Sequence, residues 1–231
     1  MLVYSSIYKP ASIFVGFITK LIMLISSNVS GGKSLKVRGL VILNISRKGK
    51  LVIGKNVRLN SSNYDYHLNM FSPVKFYIEG DAVVSIGDNS RLHGVCIHAR
   101  SSIKIGKNCL IAANTNIIDC NGHGLSMEAP ENRINSTGET YDVEIEDNVW
   151  IGAGVMILPG VKIGSGSVVG AGSIVVKSMP SMSLIAGNPA RVVKTFQLSF
   201  WANIFGKLFW TEKKYSGCHI FCLSRQKAAL K

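Results

Sequence analysis

From Ile145 onward the chain divides into IEDNVW, IGAGVM, ILPGVK, IGSGSV, VGAGSI and VVKSMP, so that Ile145, Ile151, Ile157, Ile163, Val169 and Val175 return every six residues. Each is followed four positions later by Val, Ser or Met. Upstream, Ile105, Ile111 and Ile117 keep the spacing, as do Ile86 and Leu92. Leu35, Val41 and Ile53 fall on the same beat, with Arg47 interrupting it. A period of six is neither that of a helix nor that of a flat strand, so the repeating unit is larger than either. Hexapeptides mark an all-β solenoid, the parallel β-helix, in which three repeats form a triangular coil and each strand pairs with one about 18 residues away. The aliphatic residue points inward, and stacking buries a continuous Ile/Val column that no single repeat buries alone. Gly152, Gly164 and Gly170 are expected at corners that need unusual dihedrals. An ordinary β-sandwich would instead show turn signals at variable spacing.

The beat slips twice. Ile86 to Ile105 is 19 residues, one more than a coil, which predicts a bulge near residues 98–102. Ile117 to Ile145 is 28 residues where six would suffice, so 22 residues leave the prism as a polar, turn-rich loop over 118–144 that carries His123. Such an excursion either decorates a solenoid or builds a site. The expected organisation is a basic amphipathic segment over 1–34, the β-helix over 35–194, and a basic aromatic segment over 195–231.

The net charge of +13 is unevenly spread: residues 1–50 hold eight Lys/Arg and no acid, residues 195–231 six and one acid, and the rest balances. The neutral body gives nucleic-acid binding no electrostatic support. Five cysteines (Cys96, Cys109, Cys120, Cys218, Cys222) without metal-ligand spacing read as small hydrophobes in a reducing, cytoplasmic setting. Within residues 11–27 one helical face carries Ile13, Phe14, Phe17, Leu21, Leu24 and Ile25, and the other Ser12, Gly16, Thr19, Lys20 and Ser27. Some fifteen apolar residues interrupted by Lys20 are read as too short to span a bilayer. Apolar faces beside Lys clusters, here and in residues 196–210, fit helices lying on an anionic membrane surface. The alternative is that they cap the solenoid or pack between subunits.

The run NVWIGAGVMILPGVKIGSGSVVGAGSIVVKSMPSMSLIAGNPARVVK resembles the C-terminal half of the hexapeptide-repeat acyltransferases, most closely the sugar O-acetyltransferases: galactoside, maltose and nodulation-factor enzymes with those of capsule and O-antigen. The likeness is dense from about Ile86 to Lys194 and specific at NVWIG, GAGS and AGNPAR. It implies a left-handed parallel β-helix using acetyl-CoA as cosubstrate, without a metal, in a homotrimer whose sites form between neighbouring prisms. It also implies that His123, in Gly122–His123 before NVWIG, is the general base that takes the proton of a saccharide hydroxyl. Asp119 is the candidate to orient that imidazole, with turn capping as the alternative. Trp150, Ala153, Ala171, Lys177, Arg191 and Lys194 match cofactor-binding positions, and Val176 departs from the family's Thr. Arg91 and His93 fall where relatives meet the acceptor. Three rival readings stand beside this one: another small acceptor (an amino sugar, serine or an antibiotic), a catalytically silent scaffold, or a γ-class carbonic-anhydrase-like zinc site. The last would use His93, His98 and His67.

Overall fold

The computed structural model describes residues 2–64 and 66–197, with side chains from Tyr8 onward. A long helix opens the chain, α1 (Leu2–Ile25). The first coil is β1 (Val29–Gly31), β2 (Lys36–Arg38) and β3 (Val41–Ile45); the second is β4 (Lys50–Ile53), β5 (Arg58–Asn60) and β6 (Val74–Ile78). The third is β7 (Val83–Ile86), β8 (Arg91–His93) and β9 (Cys96–Ala99); the fourth is β10 (Ser102–Ile105), β11 (Leu110–Ile111) and β12 (Asn116–Ile118). The fifth is β13 (Val143–Ile145), β14 (Trp150–Ile151) and β15 (Met156–Ile157); the sixth is β16 (Lys162–Ile163), β17 (Val168–Val169) and β18 (Ile174–Val175). The antiparallel pair β19 (Ser183–Gly187) and β20 (Ala190–Thr195) follows.

Strands visit three sheets in strict rotation: β1-β4-β7-β10-β13-β16, then β2-β5-β8-β11-β14-β17, then β3-β6-β9-β12-β15-β18, with β19-β20 extending the second. All pairings but the last are parallel, an arrangement that fits the expected left-handed β-helix. The solenoid begins at Val29, inside the segment expected to precede it. The expected C-terminal amphipathic helix lies outside the described residues.

Register turns the six-residue period into packing. Ile53, Ile86, Ile105, Ile145 and Ile163 stand in one column of the first sheet, and Leu59, Leu92, Ile111, Ile151 and Val169 in the second; all are buried. Each such side chain removed from water contributes about 1.5–3 kcal/mol. Cys109, read as a small hydrophobe, is buried as well.

The corners do not obey the expectation for glycine. Gly152 and Gly164 have no positive φ; a Cβ on them would come within 2.6 Å of the Ala171 nitrogen and 2.3 Å of the Ser181 nitrogen, so they are required by the close approach of the next coil. The positive φ falls two residues later, at Gly154, Gly166 and Gly172. At the corner of Gly166 the preceding coils carry asparagine in its place. Asn56, Asn89, Asn108 and Asn148, with φ between 54° and 62°, stack one coil above another. Each passes a side-chain hydrogen bond of 3.0–3.1 Å to the next, so the column repays part of its strain.

The slip between Ile86 and Ile105 proves to be two opposed irregularities. From Ile97 to Ile105 the chain takes eight steps where Ile157 to Ile163 takes six, and from Leu92 to Ile97 it takes five where Ile151 to Ile157 takes six. The corner at residues 100–101 therefore bulges by two residues, offset by a one-residue shortening at Gly94. A second excursion, residues 61–73, leaves between β5 and β6.

Helix α1 seats a narrow strip on the first coil. Met23 is fully buried, Thr19 nearly so, and a Cβ on Gly16 would fall 2.5 Å from the Val37 carbonyl oxygen. The Gly39 N–H donates to the Ser12 carbonyl at 2.9 Å. The expected polar face is thus the docked one, because only small side chains admit the strand so closely. The helix runs to 24 residues, about 36 Å at 1.5 Å per residue. By length and composition it suffices to cross a membrane, which corrects the sequence reading.

Candidate active site

The loop that carries His123 leaves the prism at the corner between the third and first sheets, after β12, and re-enters at β13. Its neck is closed by backbone pairing. Tyr141 N–H donates to the Asp119 carbonyl at 2.7 Å, Asn121 N–H to the Glu139 carbonyl at 3.0 Å, and Cys120 bridges Thr140. A Cβ on Gly138 would strike the Asn121 carbonyl oxygen at 1.9 Å, so the neck closes only with glycine there. Beyond the neck, the Ser136 hydroxyl accepts from Gly124 N–H, and Arg133 Nε donates to the Leu125 carbonyl. His123 stands exposed between neck and tip, with no hydrogen bond or ion pair among the described residues.

Asp119 does not hold that imidazole. Its side chain is fully buried, and its two carboxylate oxygens accept the backbone N–H groups of Arg100 and Ser101, each at 2.8 Å. The carboxylate caps the bulged corner one coil below, where two extra residues leave N–H groups without strand partners. Beside it, His98 Nε2 lies 2.7 Å from Glu79 Oε1, and the Cys120 thiol 3.8 Å from the same ring. Burial pushes the Cys120 thiol up, and the Asp119 charge adds to the effect. The root of the loop is therefore a packed polar cluster that the repeat count could not show.

The expected acceptor residues lie on the outer face of the second sheet. Lys36, Arg58 and Arg91 stand in register on β2, β5 and β8, and beside them Asn60 pairs with His93. The Tyr66 ring stacks on His93 at 4.6 Å and 15°, and the Asn60 amide lies 3.3 Å from His93 Nδ1. Burial first, then the charges of Arg58, Arg91 and His67, hold the His93 pKa down at about 4. Asn60 donates to Nδ1, so the ring is neutral and presents Nε2–H. Burial and the charges of Arg91 and Arg38 likewise lower the Arg58 pKa. The first sheet shows the opposite pattern: Lys104, Glu144 and Lys162 alternate in sign at 2.9 Å contacts. Sequence reasoning missed Arg58, Asn60 and Tyr66; the signal was the interval of 33 from Ile53 to Ile86, which hides the 61–73 excursion.

The expected cofactor residues occupy other positions. Trp150, 44% exposed, lies on the second sheet in register with Leu110 and Val168. Ala153 and Ala171 sit one coil apart at the corner between the second and third sheets, where the Ala153 carbonyl accepts from Gly172 N–H at 2.8 Å. Lys177, Arg191 and Lys194 are exposed at the C-terminal end; Arg191 Nη1 donates to the Ala190 carbonyl, and Lys194 Nζ lies 5.1 Å from the Phe196 ring centroid. His123 and the Ala153–Ala171 pair are thus carried by different corners, whereas Lys177 follows β18 at the corner from which the loop leaves, two coils further on. His93 and His98 point from different sheets, so they do not converge with His67, and no three-residue metal-ligating group occurs among the described residues.

Two family models match, on either side of the loop: the hexapeptide repeat of succinyl-transferase over residues 83–118 and the six-repeat bacterial transferase hexapeptide over residues 142–177. WbbJ of Escherichia coli K12, named as a lipopolysaccharide biosynthesis O-acetyl transferase, is 34% identical over 145 residues, covering 59% of this chain and 74% of WbbJ. The chain belongs to the hexapeptide-repeat acetyltransferases. Among solved members of this fold, the polySia-specific acetyltransferase NeuO superposes with a TM-score of 0.54 at 26% identity over 69% of each chain. AntD, an N-acyltransferase from Bacillus cereus solved with dTDP and 3-hydroxybutyryl-CoA, gives 0.53 at 21% identity over 81% of this chain and 91% of AntD, a likeness of fold. The chain spans only part of the curated relatives it matches, 59%, 46% and 74% of three of them. The hexapeptide-repeat acetyltransferase signature thus covers the third to sixth coils and leaves residues 119–141 outside both matched segments.

Proposed function

We propose that the protein is an acetyl-CoA-dependent O-acetyltransferase acting on a saccharide hydroxyl of a surface glycan or its precursor, as a left-handed β-helix assembled into a homotrimer. The observation that carries the reading is His123: an exposed imidazole without a partner among the described residues, on a loop pinned at its neck and inserted between two hexapeptide segments of an acetyltransferase family. In the reaction, the neutral imidazole takes the hydroxyl proton as the oxygen attacks the thioester carbonyl. The C–S bond then breaks, and the proton returns to the departing CoA thiolate. Backbone N–H groups of a neighbouring coil stabilise the oxyanion. Lys177, Arg191 and Lys194 serve the phosphates of CoA, and Trp150, Ala153 and Ala171 its pantetheine arm. Arg58, Arg91 and the neutral His93 supply donors to the acceptor. Relatives named for lipopolysaccharide and polysialic acid support the saccharide class, and AntD's acyl-CoA ligand supports the cosubstrate. The location of acetyl-CoA makes the enzyme cytoplasmic.

The chain also supports the trimer. A rigid prism cannot bring the corner that bears His123 onto the corner that bears Ala153, so the loop of one copy serves the coil of the next. His123→Ala, assayed by thiol release from acetyl-CoA with lipopolysaccharide core, polysialic acid and free galactosides as acceptors, is expected to lower transfer by about 10²–10⁴-fold. CoA binding, measured by calorimetry, is expected to persist. Transfer retained in the variant would overturn the assignment.

A further inference from the structure

Helix α1 has two faces with opposite tasks. Ser12, Gly16, Thr19 and Met23 recur at helical spacing and are spent on the solenoid, so the helix is fixed in orientation. The opposite face is thereby turned outward and carries Ile13, Phe14, Phe17, Leu21, Leu24 and Ile25, exposed by 47–75%. A soluble surface does not leave so many large apolar side chains contiguous without a partner. Around them the charge has one sign: residues 1–50 contain eight Lys/Arg and no acid. Lys33 and Lys36 are exposed on the coil against which the helix packs, and Lys20 is half-exposed on the helix itself.

We infer that this end of the protein docks on an anionic phospholipid surface, with α1 lying in the plane of the interface, its apolar face among the acyl chains and the flanking lysines on the headgroups. Charge decides between the possible occupants. A second copy packing face to face would set one excess of +8 against another, whereas anionic lipid neutralises it. The docked strip decides the orientation: a helix crossing the bilayer would have to surrender the Gly39–Ser12 hydrogen bond and withdraw Met23 from the core. Attachment at the first coil leaves the 118–144 excursion, which branches from the fourth coil, away from the docked end.

The test uses the full chain with phosphatidylcholine vesicles and with vesicles containing 30% phosphatidylglycerol. Co-sedimentation is expected with the anionic vesicles only, weakened by high salt and reversed by alkaline carbonate. Phe14→Ser/Phe17→Ser/Leu21→Ser is expected to weaken binding more than tenfold with the sedimentation coefficient unchanged. Lys20→Gln/Lys33→Gln/Lys36→Gln, which leaves the apolar face intact, is expected to cost about fivefold per charge. Equal binding to both vesicle types, or wild-type binding by either variant, overturns the inference. So does a change of oligomeric state in the serine variant, which would make a second copy the occupant, or resistance to carbonate, which would make α1 a span.

Discussion

His93 should remain neutral far below the pH at which an ordinary histidine protonates, and this makes a specific demand on stability. Its folded pKa is held at about 4 by burial, with Arg58, Arg91 and His67 adding repulsion, against about 6.5 in the unfolded chain. As pH falls below 6.5 the unfolded chain takes up a proton that the folded site refuses, so folding loses stability between pH 6.5 and 4 and then levels off. The whole shift corresponds to about 3 kcal/mol. Urea unfolding of wild type and His93→Gln at several pH values, at one protein concentration, isolates the effect, because carboxylates titrate alike in both. The variant should lose less stability over that window, the gap closing by up to this amount, while any lost stacking on Tyr66 adds a pH-independent offset. Arg58→Gln should restore only part of the difference, since burial is the larger cause. Parallel stability profiles for wild type and His93→Gln, or NMR titration of His93 near 6.5, would refute the reasoning.

Asp119→Ala should destabilise by about 2 kcal/mol or more, since it strips two backbone N–H groups at the bulged corner of their acceptors. Asp119→Asn should cost roughly half as much, and neither should change the pH profile of transfer, which an imidazole-orienting carboxylate would. Asn108→Ala, mid-column at φ 56° with side-chain bonds to Asn89 and Asn148, should cost about 2 kcal/mol. Asn108→Gly should recover about half of that, since glycine accepts the dihedral. Co-expressed His123→Ala and Lys177→Glu/Arg191→Glu chains, each inactive alone, should together recover about a quarter of wild-type activity, the fraction of interfaces in a random trimer that pair an intact loop with an intact coil. No recovery would place the site within one chain.

The six-residue period made the inward columns legible, because burial in a solenoid depends on position within the repeat and little else. It also located the loop, since a count of missing beats is a count of residues outside the prism. What it could not resolve was anything set by register between coils. The 19-residue interval concealed an excess of two and a deficit of one, and with them the reason for Asp119: a carboxylate is buried there to cap N–H groups that only the bulge exposes. Gly152 and Gly154 show the same limit. Both are glycines of one turn, yet one answers to the coil above it and the other to its own φ. The face formed by Arg58, Asn60, Tyr66 and His93 was illegible because its members are up to 35 residues apart and meet only across strands.

The charge ladders connect these observations to function. Stacked strands place the same position of successive repeats side by side, so outward charges either alternate or repel. The first sheet alternates, with Lys162 raised and Glu144 and Glu146 lowered by their mutual contacts. The second sheet sets Lys36, Arg58 and Arg91 in one file and depresses a histidine beside them. The same fold thus relieves repulsion on one face and retains it on another, next to the excursion that supplies Tyr66. Retained repulsion is relieved by a ligand rich in acceptor oxygens, and binding such a ligand should raise the His93 pKa. A saccharide bearing carboxylate or phosphate would meet that demand better than a neutral one.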